Sequence, residues 1–166
     1  MRKTAVLGIG NILLKDDGIG VRVVRELEDR GSLRGTTLVD GGTSTMDMLG
    51  LFLTHDRVIV VDGLRGGHPA GTVYRLTPEE LGSCGTWKCS LHDLQILDVT
   101  RIAAMLGKTP EVTIIGIEPK RIEESMDLSP ELEASLAKLA DLVEAECALR
   151  SLPTGTSELW RPAQVR

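Results

Sequence analysis

Short apolar runs alternate with amphipathic segments along most of the chain. The runs are rich in β-branched side chains, which favour buried strands, whereas the amphipathic segments repeat apolar positions every three or four residues, as helices do. This alternation predicts an α/β fold, namely a three-layer sandwich whose mostly parallel central sheet is flanked by helices. The predicted strands are residues 4–7, 37–39, 58–61, 71–76 and 112–117. The predicted helices are residues 19–27, 46–53, 96–106 and 132–143, and a short turn or helix begins at Pro78.

Residues at the ends of the helical segments support these boundaries. Gly31 and Gly107 each follow a helical segment, and glycine commonly ends helices. The sequence S-L-H-D at residues 90–93 has the pattern of a capping box, in which a serine and an acidic residue bond reciprocally to backbone amides. The sequence S-P-E at residues 129–131 predicts a helix start with a capping hydroxyl, a proline at the first position and an acid in the first turn.

The length and composition indicate one domain. The chain has 166 residues, of which 42% are apolar, and this suits a single globular unit with one core. We therefore expect residues 1–150 to form one α/β domain. From residue 151 onward the periodic pattern stops, and proline, glycine, serine and threonine become frequent. Residues 151–166 are accordingly expected to form a mobile C-terminal tail.

Charge and residue usage argue against several classes of protein. The net charge is −5 and aromatic residues make up only 2%, so neither phosphate neutralisation nor base stacking favours a nucleic-acid partner. No signal peptide or membrane-spanning stretch is visible, and no membrane partner is expected. Three cysteines form no disulfide framework, which predicts reduced thiols and a cytoplasmic protein. No apolar segment signals an oligomer, so a monomer is expected.

Polar residues that follow predicted strands or begin a helix are candidates for chemistry. Asp16 and Asp17 follow the first strand, Asp62 follows the third, and His92 begins a helix. Ligand sites of parallel sheets form beyond the carboxyl ends of the strands, so these loops are expected to open on one edge. Two carboxylates and one imidazole there can hold a borderline divalent metal such as nickel or zinc, with positions left for water or substrate.

Each of these residues also has a purely structural interpretation, and position along the chain does not decide between the two. Asp16 and Asp17 can cap the first helix, and Asp62 can accept bonds from backbone amides of the turn that follows it. His92 can be a partly exposed histidine at a helix start. Asp40, which precedes two glycines, is interpreted as a turn and cap residue rather than a ligand.

Other catalytic and binding motifs are weak or missing. Gly8 and Gly10 follow a strand as in a dinucleotide-binding loop, but Leu13 occupies the position of the third glycine and nearby aspartates would repel a pyrophosphate. There is no G-x-S-x-G nucleophile elbow. Cys84 and Cys89 lie near His92 along the chain, but the sequence shows no group that would stabilise a thiolate.

Five sequence blocks together resemble the [NiFe]-hydrogenase maturation endopeptidases. Their order and spacing fit that family from residue 4 to about residue 147. The blocks are G-I-G-N-I-L-L-K-D-D-G-I-G at residues 8–20, D-G-G-T at 40–43, V-V-D at 60–62, S-L-H-D-L at 90–94 and I-G-I-E-P at 115–119.

This resemblance implies an activity and a set of site residues. Members of the family cut a short C-terminal extension from the hydrogenase large-subunit precursor after nickel has been inserted. The family's nickel-contacting and catalytic positions map onto Asp17, Asp62 and His92, which would make the chain an aspartic-type endopeptidase. Nickel would be supplied by the substrate precursor, and no organic cofactor is expected. Either water polarised by the metal or water activated by a carboxylate would attack the peptide.

Three other functions remain alternatives at this stage. A non-proteolytic nickel-binding chaperone would bind the same precursor without shortening it. A nucleotide-binding α/β protein would bind NAD, ATP or FMN in the glycine-containing loop. A metallopeptidase of broad specificity would need a resident metal, although the sequence lacks a self-contained zinc motif such as H-E-x-x-H.

Overall fold

The computed structural model describes residues 2–83 and 90–149, which form five strands and five helices within those ranges. The strands are β1 (Thr4–Ile9), β2 (Thr36–Gly42), β3 (Arg57–Gly63), β4 (Val73–Leu76) and β5 (Glu111–Ile117). The helices are α1 (Ile19–Arg30), α2 (Leu49–Thr54), α3 (Pro78–Ser83), α4 (Leu91–Met105) and α5 (Pro130–Ala148). Short 3-10 turns cover Lys15–Gly18 and Met46–Met48. Cys84, Cys89 and the predicted tail at 151–166 lie outside the described residues.

The strands form one sheet in the order β2-β1-β3-β5-β4. Four of them run parallel, and the short edge strand β4 runs antiparallel to β5. The prediction of a mostly parallel central sheet is therefore confirmed. An antiparallel edge strand on a parallel sheet is a common arrangement in α/β proteins.

Helices cover both faces of the sheet and produce the predicted three layers. Helices α1 and α5 pack against one face, and α2, α3 and α4 pack against the other. Residues 58–61 of β3 are buried on both faces, which explains why this strand is an unbroken run of β-branched side chains. None of the helices in the described ranges combines the length and apolar character needed to cross a bilayer.

The predicted strands and helices are present with ends that shift by a few residues, and two local predictions differ. Gly31 ends α1 with a left-handed backbone, and the capping box at the start of α4 is present. The helix predicted for residues 46–53 begins instead as a 3-10 turn and becomes α-helical only at Leu49. The predicted capping hydroxyl of Ser129 is wrong, because its side chain makes no cap bond and is buried without a hydrogen-bond partner.

Candidate active site

The order of the strands creates a crevice between the loops that follow β1 and β3. The chain leaves β1 toward α1 on one face of the sheet, whereas it leaves β3 toward β4 and then α4 on the other face. The neighbouring strands β1 and β3 thus have connections that diverge, and such points are where open α/β sheets bind ligands. Asp17 lies in the first of these loops, and Asp62 is near the end of β3.

Two glycines let the first loop lie directly against the ends of the strands. Gly10 has φ of 136°, and a Cβ there would lie 1.9 Å from the backbone oxygen of Asp17. A Cβ on Gly20 would lie 2.1 Å from the backbone oxygen of Val61. These approaches are possible only without side chains, so the glycines serve close backbone packing rather than the binding of a dinucleotide.

Asp62 is a buried carboxylate with one unpaired oxygen. Its Oδ1 accepts a hydrogen bond of 2.8 Å from the Gly63 amide, so the turn interaction is present. Its Oδ2 is buried and has no hydrogen-bond partner among the residues that the structure describes. Burial raises the pKa of Asp62 well above its ordinary value, and the negative charges of Asp93 and then Asp17 raise this pKa further, against a lowering by the Gly63 amide. Such a perturbed carboxyl in a crevice is typical of functional sites.

His92 lies beside that unpaired oxygen. The capping box holds the first turn of α4, because Ser90 Oγ accepts from the Asp93 amide and Asp93 Oδ2 accepts from the Ser90 amide. His92 Nδ1 is thereby placed 3.9 Å from Asp62 Oδ2, beyond hydrogen-bond distance, with 16% of its side chain exposed. The imidazole can therefore reach both the buried carboxylate and a substrate in the crevice.

The neighbours Asp16 and Asp17 have different environments. Asp17 is partly exposed, and its Oδ2 accepts a hydrogen bond of 2.9 Å from the Asn11 amide. A Cβ built on Gly63 would lie 4.0 Å from the Asp17 Cα, so the Asp17 backbone lies beside the residue that follows Asp62. Neither residue caps the helix that follows, since the first helical turns have no side-chain cap bond.

Asp16 is fully buried and all of its bonds are to the backbone of the segment before α5. Its Oδ2 accepts from the amides of Lys120 and Arg121 at 2.9 Å, and its Oδ1 accepts from the Ser129 amide at 2.8 Å. These three bonds account for both oxygens of the carboxylate, and they fasten the 118–129 segment to the loop that carries Asp17. Asp16 is therefore a structural residue, a distinction that two adjacent aspartates do not reveal in sequence.

Asp93 belongs to the site, although the sequence pattern identified it only as a capping residue. Its carboxyl is buried, burial raises its pKa, and the Asp17 charge raises this pKa further, against lowering by Ser90 and His92. The carboxyls of Asp17, Asp62 and Asp93 therefore form a concentration of negative charge, and His92 interacts with two of them, Asp62 and Asp93. Among the residues that the structure describes, no set of three or more His, Cys, Asp or Glu side chains is already arranged to hold a metal ion.

A groove next to these residues runs along the ends of β1 and β2. It has a volume of about 320 Å³, and Leu13, Val21 and Thr43 are among the residues that line it. Asp40 lies at this groove as the predicted turn residue, since its Oδ1 accepts from the Gly42 amide at 3.0 Å. Its Oδ2 lies 3.0 Å from the Arg25 guanidinium. The groove adjoins the carboxyl cluster through Asn11, which lines it and whose amide donates to Asp17.

Comparison with known proteins identifies close similarity over most of the chain. The sequence model of the family described as "Hydrogenase maturation protease" (HycI) matches residues 21–146. The hydrogenase 2 maturation protease of Escherichia coli is 36% identical over 154 residues, which cover 89% of this chain and 94% of that protein. The hydrogenase expression/formation protein HupD of Rhodobacter capsulatus is 31% identical over 166 residues, which cover 98% of this chain and 77% of that protein.

Solved structures share the same fold. The hydrogenase maturating endopeptidase HybD from Escherichia coli superposes with a TM-score of 0.76 at 31% identity, covering 87% of this chain and 91% of that one. The maturation protease HycI from Thermococcus kodakarensis superposes with a TM-score of 0.74 at 22% identity, covering 87% of this chain and 91% of that one, and at this identity the likeness concerns the fold alone.

Proposed function

This chain belongs to the hydrogenase maturation proteases and is a peptide hydrolase, and from that premise we propose that it removes the C-terminal extension of a nickel-loaded [NiFe]-hydrogenase large-subunit precursor. The observation that carries the proposal is the unpaired, buried Oδ2 of Asp62 beside His92 at the crevice between β1 and β3. Nickel is part of the substrate here rather than a resident cofactor. We infer that the chain works as a cytoplasmic monomer, in keeping with its net charge of −5 and few cysteines.

We assign contact with the substrate's nickel to Asp17, Asp62 and His92. Carboxylate oxygens and imidazole nitrogens are ligands that nickel accepts, and these side chains come from loops on the same edge of the sheet. Asp62 Oδ2 and His92 Nδ1 lie near each other, and each can offer a lone pair to the ion or exchange a proton. Asp17 would exchange its bond to the Asn11 amide for the ion.

The chemistry we propose is attack by water on the scissile carbonyl, as in an aspartic-type endopeptidase. Since burial and two nearby carboxylates raise the pKa of Asp62, this carboxyl is suited to take a proton from the water and return it to the leaving amine. The cation in the substrate would relieve the repulsion among Asp17, Asp62 and Asp93, and it would polarise the water or the carbonyl.

The substrate backbone would lie in the groove beside the cluster. Gly42 has φ of 53°, a left-handed conformation that favours glycine, and a Cβ built there would meet nothing within 4 Å, so the space beside it is open. An extended peptide can therefore approach the end of β2 without a side chain in the way. This would direct the scissile bond from the groove toward Asp62 and His92.

The test is intact-mass measurement of nickel-loaded and nickel-free precursor after incubation with the enzyme. We expect shortening of the loaded form only, and a loss of at least about a hundredfold in rate for Asp62→Ala and for His92→Ala. Matched controls are Asp56→Ala and His55→Ala, which change the same residue types at the other end of β3 and should cleave normally. Binding without shortening would indicate a chaperone instead, and undiminished cleavage by Asp62→Ala would remove the site assignment.

A further inference from the structure

Exposed apolar side chains gather at the edge of the sheet that carries the site. In the part of the chain that the structure describes, nine large apolar side chains are exposed, and six of them lie on loops or helix starts beyond the carboxyl ends of the strands. The other three lie at the opposite edge, at the C-terminal ends of α4 and α5. The six, which we call the apolar rim, are Leu13, Met46, Leu91, Leu94, Ile122 and Met126.

Two hydrogen bonds join the segments of the apolar rim in pairs. The Ser125 amide donates to the Leu13 carbonyl at 3.0 Å, and this joins the loop after β1 to the loop that carries Ile122 and Met126. On the other side, the Thr45 amide donates to Gln95 Oε1 at 2.9 Å, which joins the segment of Met46 to the first turns of α4. Four separate elements thus present apolar side chains around Asp62 and His92.

Two pairs of opposite charges lie next to the rim. Lys15 Nζ lies 3.2 Å from Glu123, and the Arg25 guanidinium lies 3.0 Å from Asp40. These pairs leave little net charge to attract an ionic partner at that position. Single exposed apolar side chains are ordinary on a protein surface, but a group of them surrounding a catalytic crevice is typical of an interaction site.

We propose that the apolar rim is the docking surface for the folded body of the large-subunit precursor, next to the segment that is cut. This inference rests on the proposed function: the apolar rim lies at the edge of the sheet that carries Asp62 and His92, so cleavage there brings the protein that bears the scissile bond against it. The partner surface is apolar, because burying leucine and methionine side chains against it removes them from water. Docking then supplies affinity, while the carboxyl cluster and His92 carry out the cleavage.

Helix α4 offers a matched pair of variants. Leu91 and Leu94 belong to the rim and are 76% and 50% exposed, whereas Met105 and Leu106 at the other end of the same helix are 86% and 62% exposed. We expect Leu91→Ser with Leu94→Ser to raise KM for the nickel-loaded precursor roughly tenfold or more, with kcat changed less than about twofold. Met105→Ser with Leu106→Ser should leave both constants unchanged.

A second rim variant separates docking from a local disturbance of His92. Ile122→Ser with Met126→Ser changes a segment of the rim away from α4 and outside the peptide groove, and it should also raise KM roughly tenfold while kcat is kept. Equal KM values for the rim and control variants would overturn the docking surface while the proposed function stands. Self-association of the enzyme in sedimentation, abolished by the rim variants, would also overturn it in favour of a second copy as occupant. Failure of the unaltered enzyme to shorten loaded precursor would overturn the proposed function itself and the docking surface with it.

Discussion

Each end of β3 buries one charged side chain, and the surroundings of these two side chains are opposite in kind. At the start of the strand, Arg57 is buried against Glu146 of α5 and donates to its carboxylate and to the backbone oxygens of Glu146 and Leu149. Arg75 donates to the same carboxylate at 2.8 and 2.9 Å. At the end of the strand, Asp62 is surrounded by carboxylates and keeps one oxygen unpaired.

The difference separates a buried ion pair that stabilises the fold from a buried carboxyl that the fold leaves without a partner. The paired end fastens α5 to the sheet, since a buried charge is tolerated when an opposite charge and hydrogen bonds surround it. The end of the strand that carries Asp62 lacks that stabilisation, and the Asp62 carboxyl is available to a cation and a substrate instead. Sites that must bind something often retain such unfavourable groups at the expense of stability.

The largest effect should follow from removing the partner at the paired end. Glu146→Ala would leave Arg57 buried without its carboxylate, and breaking a buried pair in this way lowers the free energy of unfolding by about 3–5 kcal/mol. Urea denaturation followed by circular dichroism would measure the loss. Asp141→Ala is the control on the same helix, because Asp141 pairs with Arg30 at an exposed position and should cost less than about 1 kcal/mol. Equal losses for the two variants would contradict the comparison.

A smaller effect of opposite sign is expected at the unpaired end. Asp62→Asn removes a carboxylate that is costly to ionise in the folded protein, so it should raise the unfolding temperature by several degrees at neutral pH while abolishing cleavage. The pKa of Asp62 is raised on folding, so the native state binds its proton more tightly than the unfolded state does. Stability of the unaltered enzyme therefore falls as the pH rises through the native pKa.

The gain in stability of Asp62→Asn over the unaltered enzyme should follow the titration of Asp62. It should be full above the native pKa of Asp62, shrink on acidification and vanish where the unfolded carboxyl is also protonated, near its ordinary pKa of 3.8. Differential scanning calorimetry of both proteins across pH measures this. A variant less stable than the unaltered enzyme at neutral pH would show that Asp62 is satisfied in the fold, and the contrast with Arg57 would disappear.

The smallest effect concerns two serines that precede helices. Ser90→Ala removes a hydroxyl that accepts from the Asp93 amide and should lower the free energy of unfolding by about 1 kcal/mol. Ser129→Ala removes a buried hydroxyl without a hydrogen-bond partner and should change stability by less than about 0.5 kcal/mol. Chemical denaturation of both variants would decide, and a larger loss for Ser129→Ala would mean that its hydroxyl does have a partner.

The sequence predicted the fold well because its signals are local. The β-branched run at residues 58–61 can only be a strand buried on both faces, and Gly31 and the capping box at residues 90–93 mark helix ends through bonds a few residues long. The prediction for Ser129 was wrong because a capping pattern does not reveal the tertiary contacts of the residue before the helix. Here Asp16, far away along the chain, accepts from the Ser129 amide.

The candidate site was predictable in part. Position after a strand indicated Asp62 and the Asp16–Asp17 pair, and the structure places Asp17, Asp62 and His92 on one edge of the sheet. Which of the two neighbouring aspartates faces the crevice depends on the 118–129 segment, more than 100 residues later. The same limit applies to Arg57 and Glu146, whose pairing depends on how α5 packs. Residue type and spacing carry no information about such contacts.

The backbone contact at Gly20 has a consequence for how the site tolerates change elsewhere. A Cβ there would lie 2.4 Å from the backbone oxygen of Ile9 and 2.1 Å from that of Val61, so α1 rests on the main chain of both strands. Main-chain surfaces have no rotamers, and they act as a fixed spacer between the loops of Asp17 and Asp62. Substitutions that repack the interior behind α1 can accumulate during evolution without altering the gap across which these two carboxylates face a substrate.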